Sequence, residues 1–303
     1  MPEGDTLFRT AATLRRWLVG REVTAATTVV PGLPAARLVG QRVGAVEAWG
    51  KHLLVRLDSG QVLHTHLRMS GSWHVYAGGE AWRRPARQAR LTLTCGDRVA
   101  VCFNAPVVEL LAARAEQVHP ALAGLGPDVL AGDLDLVEVR RRARARPPEL
   151  ALGELLLEQR VVAGIGNIWR CEALFVEGHN PWSPQSSVSD DALDALICTA
   201  ARLMRASAGI DPPNPSGRPP PRWVYKRQGR PCRRCGTLVQ ARRQGEQART
   251  AYWCPTCQPP AGPADTGPPP APGRPPTGGP VTESLAPDTG PLPAPGGRPP
   301  GGP

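Results

Sequence analysis

Four cysteines near the C-terminal end constrain this chain of 303 residues more than any other feature. Cys232, Cys235, Cys254 and Cys257 read C-x2-C-x18-C-x2-C. Four thiolates at that spacing close a tetrahedral zinc site and fold a β-hairpin that cannot fold alone. The segment holding them, 222–258, is too short for a hydrophobic core and needs such a staple. Two disulfides are the alternative. The start, Met1-Pro2-Glu3-Gly4-Asp5, lacks the basic-then-apolar pattern of a secretory signal, so an oxidising compartment has no support and zinc is favoured. Four protein ligands leave no open coordination position, so the expected zinc is structural, one per chain. The other cysteines, Cys95, Cys102, Cys171 and Cys198, stand singly in apolar stretches and read as small core residues.

The texture on either side of this unit divides the rest of the chain. From Gln258 to Pro303, 27 of 46 residues are Pro or Gly. Such a segment cannot bury enough apolar surface to offset its ordering entropy. A near-repeat starts at Asp265 and again at Asp288 without the period of collagen, so 259–303 reads as a disordered tether, with a protein partner as its one expected binder. At the other end, Leu7, Ala11, Leu14 and Leu18 recur at helical spacing, with Asp5 or Thr6 as cap and Gly20 as stop. Short alternating runs follow from Arg42 to Asn104. Leu53–Leu57 and Val62–His66 flank one turn, and Ala89–Thr94 and Val99–Phe103 flank another, which predicts two hairpins. This gives an N-terminal domain, 1–123, of a leading helix on antiparallel strands. The second domain, 124–221, opens on the turn Leu125-Gly126-Pro127-Asp128 and reads as helical, with short helices near 133–144 and 149–159. Ser189 caps a clear amphipathic helix with Asp190 and Asp191 in its first turn. Leu193, Leu196, Ile197, Ala200, Leu203 and Met204 form its stripe. Residues 211–221 hold six prolines and predict a non-regular connection. The fold class is α+β.

Charge narrows the partner. No run of 18 apolar residues occurs, which argues against a membrane-spanning helix and for a cytoplasmic protein without a membrane partner. The formal net charge is +10, and since Gln258–Pro303 contributes −1, the other residues carry +11. A positive excess over two domains fits a polyanion, with nucleic acid ahead of membrane because no basic amphipathic helix stands out. The run Arg140–Arg146 reads as a solvated helix face. Of 36 basic residues only Lys51 and Lys226 are lysines, a bias that GC-rich codons explain. A lysine kept against that bias marks a place where a compact, titratable ammonium is wanted.

Pro2 offers chemistry if Met1 is trimmed, which is favoured before a small residue. The product is a free secondary amine. An α-amino group ordinarily titrates near ~8, and the positive end of the following helix lowers that. Such an amine attacks an electrophilic carbon, and the iminium formed is an electron sink. Glu3 beside it can shuttle protons. Pro2-Glu3-Gly4-Asp5, Gly50-Lys51-His52-Leu53-Leu54, Gly164-Ile165-Gly166-Asn167-Ile168-Trp169 and the run from Arg249 to Gln258 occur in that order. Over about residues 1–258 the chain resembles the formamidopyrimidine-DNA glycosylase / endonuclease VIII family of base-excision repair enzymes.

The resemblance implies an N-terminal antiparallel β-sandwich, a helix–two-turn–helix domain and a C-terminal zinc hairpin. It further implies a monomer, associated with the nucleoid, that acts on damaged DNA in duplex or single-stranded form. Pro2 corresponds to the amine that attacks the sugar C1′ of a damaged nucleotide and releases the base. The strand is then cut by β,δ-elimination. Glu3 corresponds to the general acid/base. Lys51 contacts phosphate and the lesion sugar, while Asn167 and Arg249 clamp phosphates beside the lesion. Arg68, Met69 and Ser70 align with the loop that fills the hole left by the flipped base. The oxidised-purine branch carries an Arg-Phe-Gly loop where this chain has Cys102-Phe103-Asn104-Ala105-Pro106-Val107-Val108-Glu109-Leu110-Leu111. That departure points to the endonuclease VIII branch and oxidised pyrimidines. A catalytically silent relative would lack Pro2 or Glu3. An unrelated zinc-ribbon nucleic-acid-binding protein would leave the two N-terminal motifs unexplained.

Overall fold

Alternating apolar residues in the first part of the chain build two antiparallel sheets. The computed structural model describes residues 2–210 and 221–260. Nearly all of the proline-rich connection, and the tail repeat, lie outside them. The strands are β1 (Ala25–Thr28), β2 (Val43–Trp49), β3 (His52–Leu57), β4 (Val62–His66), β5 (Ser72–Ala77), β6 (Ala89–Cys95), β7 (Arg98–Phe103) and β8 (Val107–Leu111). They pair as β1-β6-β7-β5 and β2-β3-β4-β8. Both expected hairpins form, with Val55 opposite Leu63 and Leu93 opposite Ala100. Leu53, Val55 and Leu63 of one sheet share a core with Leu91, Leu93 and Cys102 of the other, so the sheets form a sandwich. Each such apolar side chain contributes about 1.5–3 kcal/mol when fully buried.

Helix α1 (Gly4–Leu18) closes this core with Leu7, Ala11, Leu14 and Leu18. Its N-cap is Glu3 rather than Asp5 or Thr6. The Glu3 carbonyl already accepts from the Thr6 and Leu7 amides. Asp5, two residues past the cap, is buried and accepts from Ser207 Oγ at 2.7 Å.

The helical part comprises α2 (Leu136–Arg144), α3 (Leu152–Leu155), α4 (Asn167–Glu177) and α5 (Asp190–Ala208). The helix expected near 149–159 is reduced to the single turn of α3. Its exit tightens into i→i+3 bonds at Leu157 and Glu158, and Gln159 Nε2 takes the Leu157 carbonyl. The arginine run on α2 is matched by acids: Arg141 and Arg142 bond Glu138, and Arg144 bonds Asp190. Ser189 caps α5 as expected, accepting from Ala192 N at 3.2 Å. Its stripe is buried at Leu193, Leu196, Ile197, Ala200 and Met204 and half-buried at Leu203. Cys198 is the correction among the single cysteines. It lies with Asp191, Ala195 and Arg202 on the exposed face of α5, while Cys95, Cys102 and Cys171 are buried. Among the described residues no helix is long and apolar enough to cross a membrane.

The remaining sheet pairs β9 (Gln240–Gln244) with β10 (Arg249–Trp253). Glu172 on α4 anchors the chain entering this unit, accepting from the Trp223, Val224 and Tyr225 amides at 2.7–3.1 Å. Gln258 anchors its end. It is fully buried, accepts from Cys254 N and donates to the His179 carbonyl.

Candidate active site

Glu3 stands where the sandwich meets the helical part. Its side chain turns away from α1 to the N-terminus of α4, where Oε1 accepts from Ile168 N at 2.8 Å and Oε2 from Trp169 N at 3.4 Å. A helix N-terminus suits an anion. The position demands a glycine opposite, because a Cβ on Gly166 would sit 2.3 Å from Glu3 Cδ. Burial raises the Glu3 pKa above its ordinary value, opposed by the Ile168 N–H and by the Lys51 charge. Pro2 precedes it and is half-buried.

Lys51 occupies the turn between β2 and β3. Gly50 has φ +57°, and a Cβ there would come within 2.9 Å of Ala163 Cβ, so the two parts of the chain close on a bare backbone. Asp128 fixes the approach by accepting from Gly50 N and Leu130 N, both at 2.8 Å. Gln159 braces the turn opposite, accepting from Gly164 N and donating to the Ile165 carbonyl, both at 3.0 Å. Burial lowers the Lys51 pKa to about 8, opposed by Glu3 and reinforced by the Arg249 charge. The structure thus groups Pro2, Glu3, Lys51 and Arg249.

A cleft of about 570 Å³ opens beside this group, lined among others by His52, His66, Arg68, Glu154, Gln244 and Arg249. Arg68 lines it, and Arg68, Met69 and Ser70 are exposed in the loop that Gly71 closes by donating to the Leu67 carbonyl at 2.8 Å. Met69 is 63% exposed, which excludes it from the core, and its Sδ lies 4.0 Å from Arg249 Nη1. Burial keeps the rings on the sandwich side neutral, pushing His52 down to about 3 and His66 down to about 4.

Asn167 is buried, and its amide is engaged. Nδ2 donates to the Thr250 carbonyl and Oδ1 accepts from Arg170 Nε, both at 2.9 Å. Arg170 is the residue that sequence reasoning missed. It is fully buried and donates to the carbonyls of Gly153 and Arg249 and to Gln244 Oε1, at 3.0–3.1 Å. It ties α4 and α3 to the β9–β10 hairpin and fixes the backbone of Arg249. Nothing in the sequence separates it from the other arginines except its place three residues after Asn167.

The four hairpin cysteines converge as their spacing predicts. Cys232 Sγ lies 3.9 Å from Cys257 Sγ, and Cys235 Sγ lies 3.4 Å from Cys254 Sγ. A tetrahedral ion with metal–sulfur bonds of ~2.3 Å needs sulfurs roughly 3.8 Å apart, so the quartet fits one.

A β-sandwich joined to a helical domain and a cysteine-clasped hairpin, with an acid and an ammonium where they meet, defines an enzyme class acting across an open cleft. Residues 1–106 match the formamidopyrimidine-DNA glycosylase N-terminal domain and residues 125–212 the H2TH domain of the same enzymes. The chain belongs to the formamidopyrimidine-DNA glycosylase / endonuclease VIII family. A probable endonuclease 8 2 of Streptomyces coelicolor is 42% identical over 268 residues, 87% of this chain and 95% of that one. The DNA-(apurinic or apyrimidinic site) lyase Nei2 of Mycolicibacterium smegmatis is 39% identical over 264 residues, 85% of this chain and 99% of that one. The crystal structure of MutM (Fpg) from Thermus thermophilus matches at a TM-score of 0.72 and 26% identity, covering 86% of this chain and 100% of that one.

Proposed function

We propose that this chain is a bifunctional DNA glycosylase and abasic-site lyase of base-excision repair, acting on oxidised pyrimidines. The observation that carries the reading is a buried Glu3, raised in pKa, next to Pro2 in the chain and within the field of a Lys51 lowered to about 8, with His52 and Arg249 lining the adjoining cleft. Removal of Met1 frees the Pro2 nitrogen. That nitrogen bonds to the sugar C1′ and loses its proton as the bond from C1′ to the base breaks, and the C1′–O4′ bond then opens to leave an iminium, with a proton going to the ring oxygen. Glu3 holds the proton that the sugar ring or the base must receive, because burial keeps its carboxyl protonated over a wider pH range. The iminium then withdraws electrons from C2′, whose proton leaves as the phosphate on the 3′ side is expelled. A second elimination releases the 5′ side.

Residues 1–123 carry this chemistry, and 124–221 with 222–258 grip the strand. Lys51 and Arg249 meet the phosphates at the lesion. Asn167 keeps one amide hydrogen beyond its bond to Thr250 and offers it to a phosphate. Arg68, Met69 and Ser70 enter the stack when the nucleotide flips. Zinc on Cys232, Cys235, Cys254 and Cys257 holds the hairpin that presents Arg249 and supplies no chemistry beyond that. The connection from β7 to β8 is Asn104-Ala105-Pro106, with no Arg-Phe-Gly in it, which favours pyrimidines.

Borohydride reduction in the presence of abasic-site DNA tests the reading. A chain shown by mass to begin at Pro2 should be trapped on DNA. The same chain behind an N-terminal extension, with the proline nitrogen in a peptide bond, should not be trapped until the extension is cleaved off. Trapping of the extended chain at an equal rate would sink the mechanism. A lesion panel in duplex and single strands tests the pyrimidine preference.

A further inference from the structure

A second cluster of metal-ligating side chains lies on the sandwich, apart from the cysteines. His64 on β4, Glu109 on β8 and His119 beyond β8 bring their ligand atoms within 4.8 Å of one another. β4 and β8 are paired with His64 directly opposite Glu109, so the sheet register sets the first contact. Glu109 Oε1 lies 2.6 Å from His64 Nδ1 and 3.0 Å from His119 Nε2. An ion bonded at about 2.0–2.2 Å to two imidazole nitrogens and a carboxylate oxygen needs those atoms roughly 3.3 Å apart. The two Glu109 contacts have to open slightly, and the two imidazole nitrogens lie within 4.8 Å of each other. His64 is buried, whereas the Glu109 and His119 side chains are 37% and 19% exposed, so the ligands form an anchored base with an entry path.

The ring behind His64 supplies the second observation. His52 Nδ1 is 2.8 Å from His64 Nε2. Metal-bound imidazoles are oriented by a partner on their other nitrogen, and His52 stands in that place. Without metal, His64 Nδ1–H donates to Glu109 and His64 Nε2 accepts from His52 Nδ1–H. With a cation on His64 Nδ1, the His64 proton moves to Nε2 and donates to His52 Nδ1, and His52 carries its own proton on Nε2. His52 lines the cleft next to Lys51. Occupancy therefore reverses the tautomer of a ring inside the cleft.

We propose that His64, Glu109 and His119 form a second metal site, for a divalent transition cation of the zinc class, with His52 as the residue that orients His64. Two nitrogens and one oxygen select such ions over magnesium or calcium, which take oxygen ligands. Water completes the shell on the exposed side.

The test uses the full chain with its cysteine site already loaded with zinc, and Co2+ as the probe. Wild type should bind one equivalent of Co2+, with the absorption of a nitrogen–oxygen site and no thiolate-to-cobalt band, and without releasing zinc. His119→Ala and Glu109→Gln should each lose that equivalent while keeping zinc and thermal stability. Glu109→Gln preserves shape should the histidine variant fail to fold. His52→Ala should weaken the site by ~10–100-fold. Imidazole 15N shifts should report the tautomer change of His52 and His64 on adding Zn2+. Retention of the equivalent in both ligand variants, thiolate bands on cobalt binding, or unchanged tautomers on saturation would each overturn the proposal.

Discussion

Two side chains at the joint carry charges that burial disfavours, and Lys51 sets an expected pH dependence. Lys51 is charged below about pH 8 and loses its proton as the pH rises through that value. The free enzyme then loses a phosphate contact, so kcat/KM on abasic-site DNA should fall above about pH 8. Lys51→Arg, which stays charged, should move that limb to higher pH; an unchanged limb would assign it to another group. Stability runs the other way. The folded state holds the Lys51 proton less tightly than the unfolded chain, whose ordinary value is 10.5, so between about 8 and 10.5 the unfolded state binds more protons and the fold gains stability as pH rises. A fluorescence-monitored denaturation series should show this gain in wild type and lose it in Lys51→Met. Glu3→Gln keeps the bonds at Ile168 and Trp169 short of one acceptor and removes the titrating proton. Base release should drop by roughly 10²–10⁴, and cleavage at a preformed abasic site should drop less, since no base has to leave. Equal losses in a paired assay would contradict the role of Glu3. Pro2, Glu3 and Lys51 stand out in the sequence because each sits in a short local motif. The reason for Gly166 does not, since the side chain it must admit lies 163 positions away.

At the level of elements, the hairpin is held by two devices, only one of which shows in the sequence. The cysteine quartet is visible as spacing. Arg170 is not, because its four acceptors come from α3, α4, β9 and β10 and meet only in the folded chain. The same physics hid other features. The cap fell on Glu3 because the helix already starts at Gly4, ahead of Asp5 and Thr6. The short strands β1 and β8 carry too few residues for a clear alternation. Arg170→Met should leave those acceptors buried and unpaired, each worth about 1–3 kcal/mol. We expect a net loss of ~2–4 kcal/mol in denaturant unfolding, larger than ordinary surface substitutions. Cleavage should weaken while zinc content stays at one per chain, because Arg249 loses its backbone anchor and the sulfurs do not. Cys254→Ser should lose both metal and cleavage. If Arg170→Met released zinc as Cys254→Ser does, the two devices would be one.

Over the whole molecule, positive charge is concentrated before Gln258. The chain carries +10, yet the residues after Gln258 hold Arg274 and Arg298 against Asp265, Glu283 and Asp288. Binding to DNA releases roughly 0.9 counterion for each phosphate neutralised, so the slope of log affinity against log salt counts the cations engaged. A segment with no net positive charge adds nothing to that slope. Among the described residues, Gln258 is buried between Cys254 and His179 while Pro259 and Pro260 are exposed. Truncation after Pro260 should therefore preserve the salt slope, the midpoint of thermal unfolding and the rate of abasic-site cleavage. Truncation before Gln258 should lower the midpoint, because it strips the acceptor from the Cys254 amide and the donor from the His179 carbonyl. Fluorescence anisotropy across a salt series, run beside thermal scans on the two truncations, separates these effects. A shallower slope in the longer truncation would place DNA-binding cations beyond Pro260, and the charge argument would then fail.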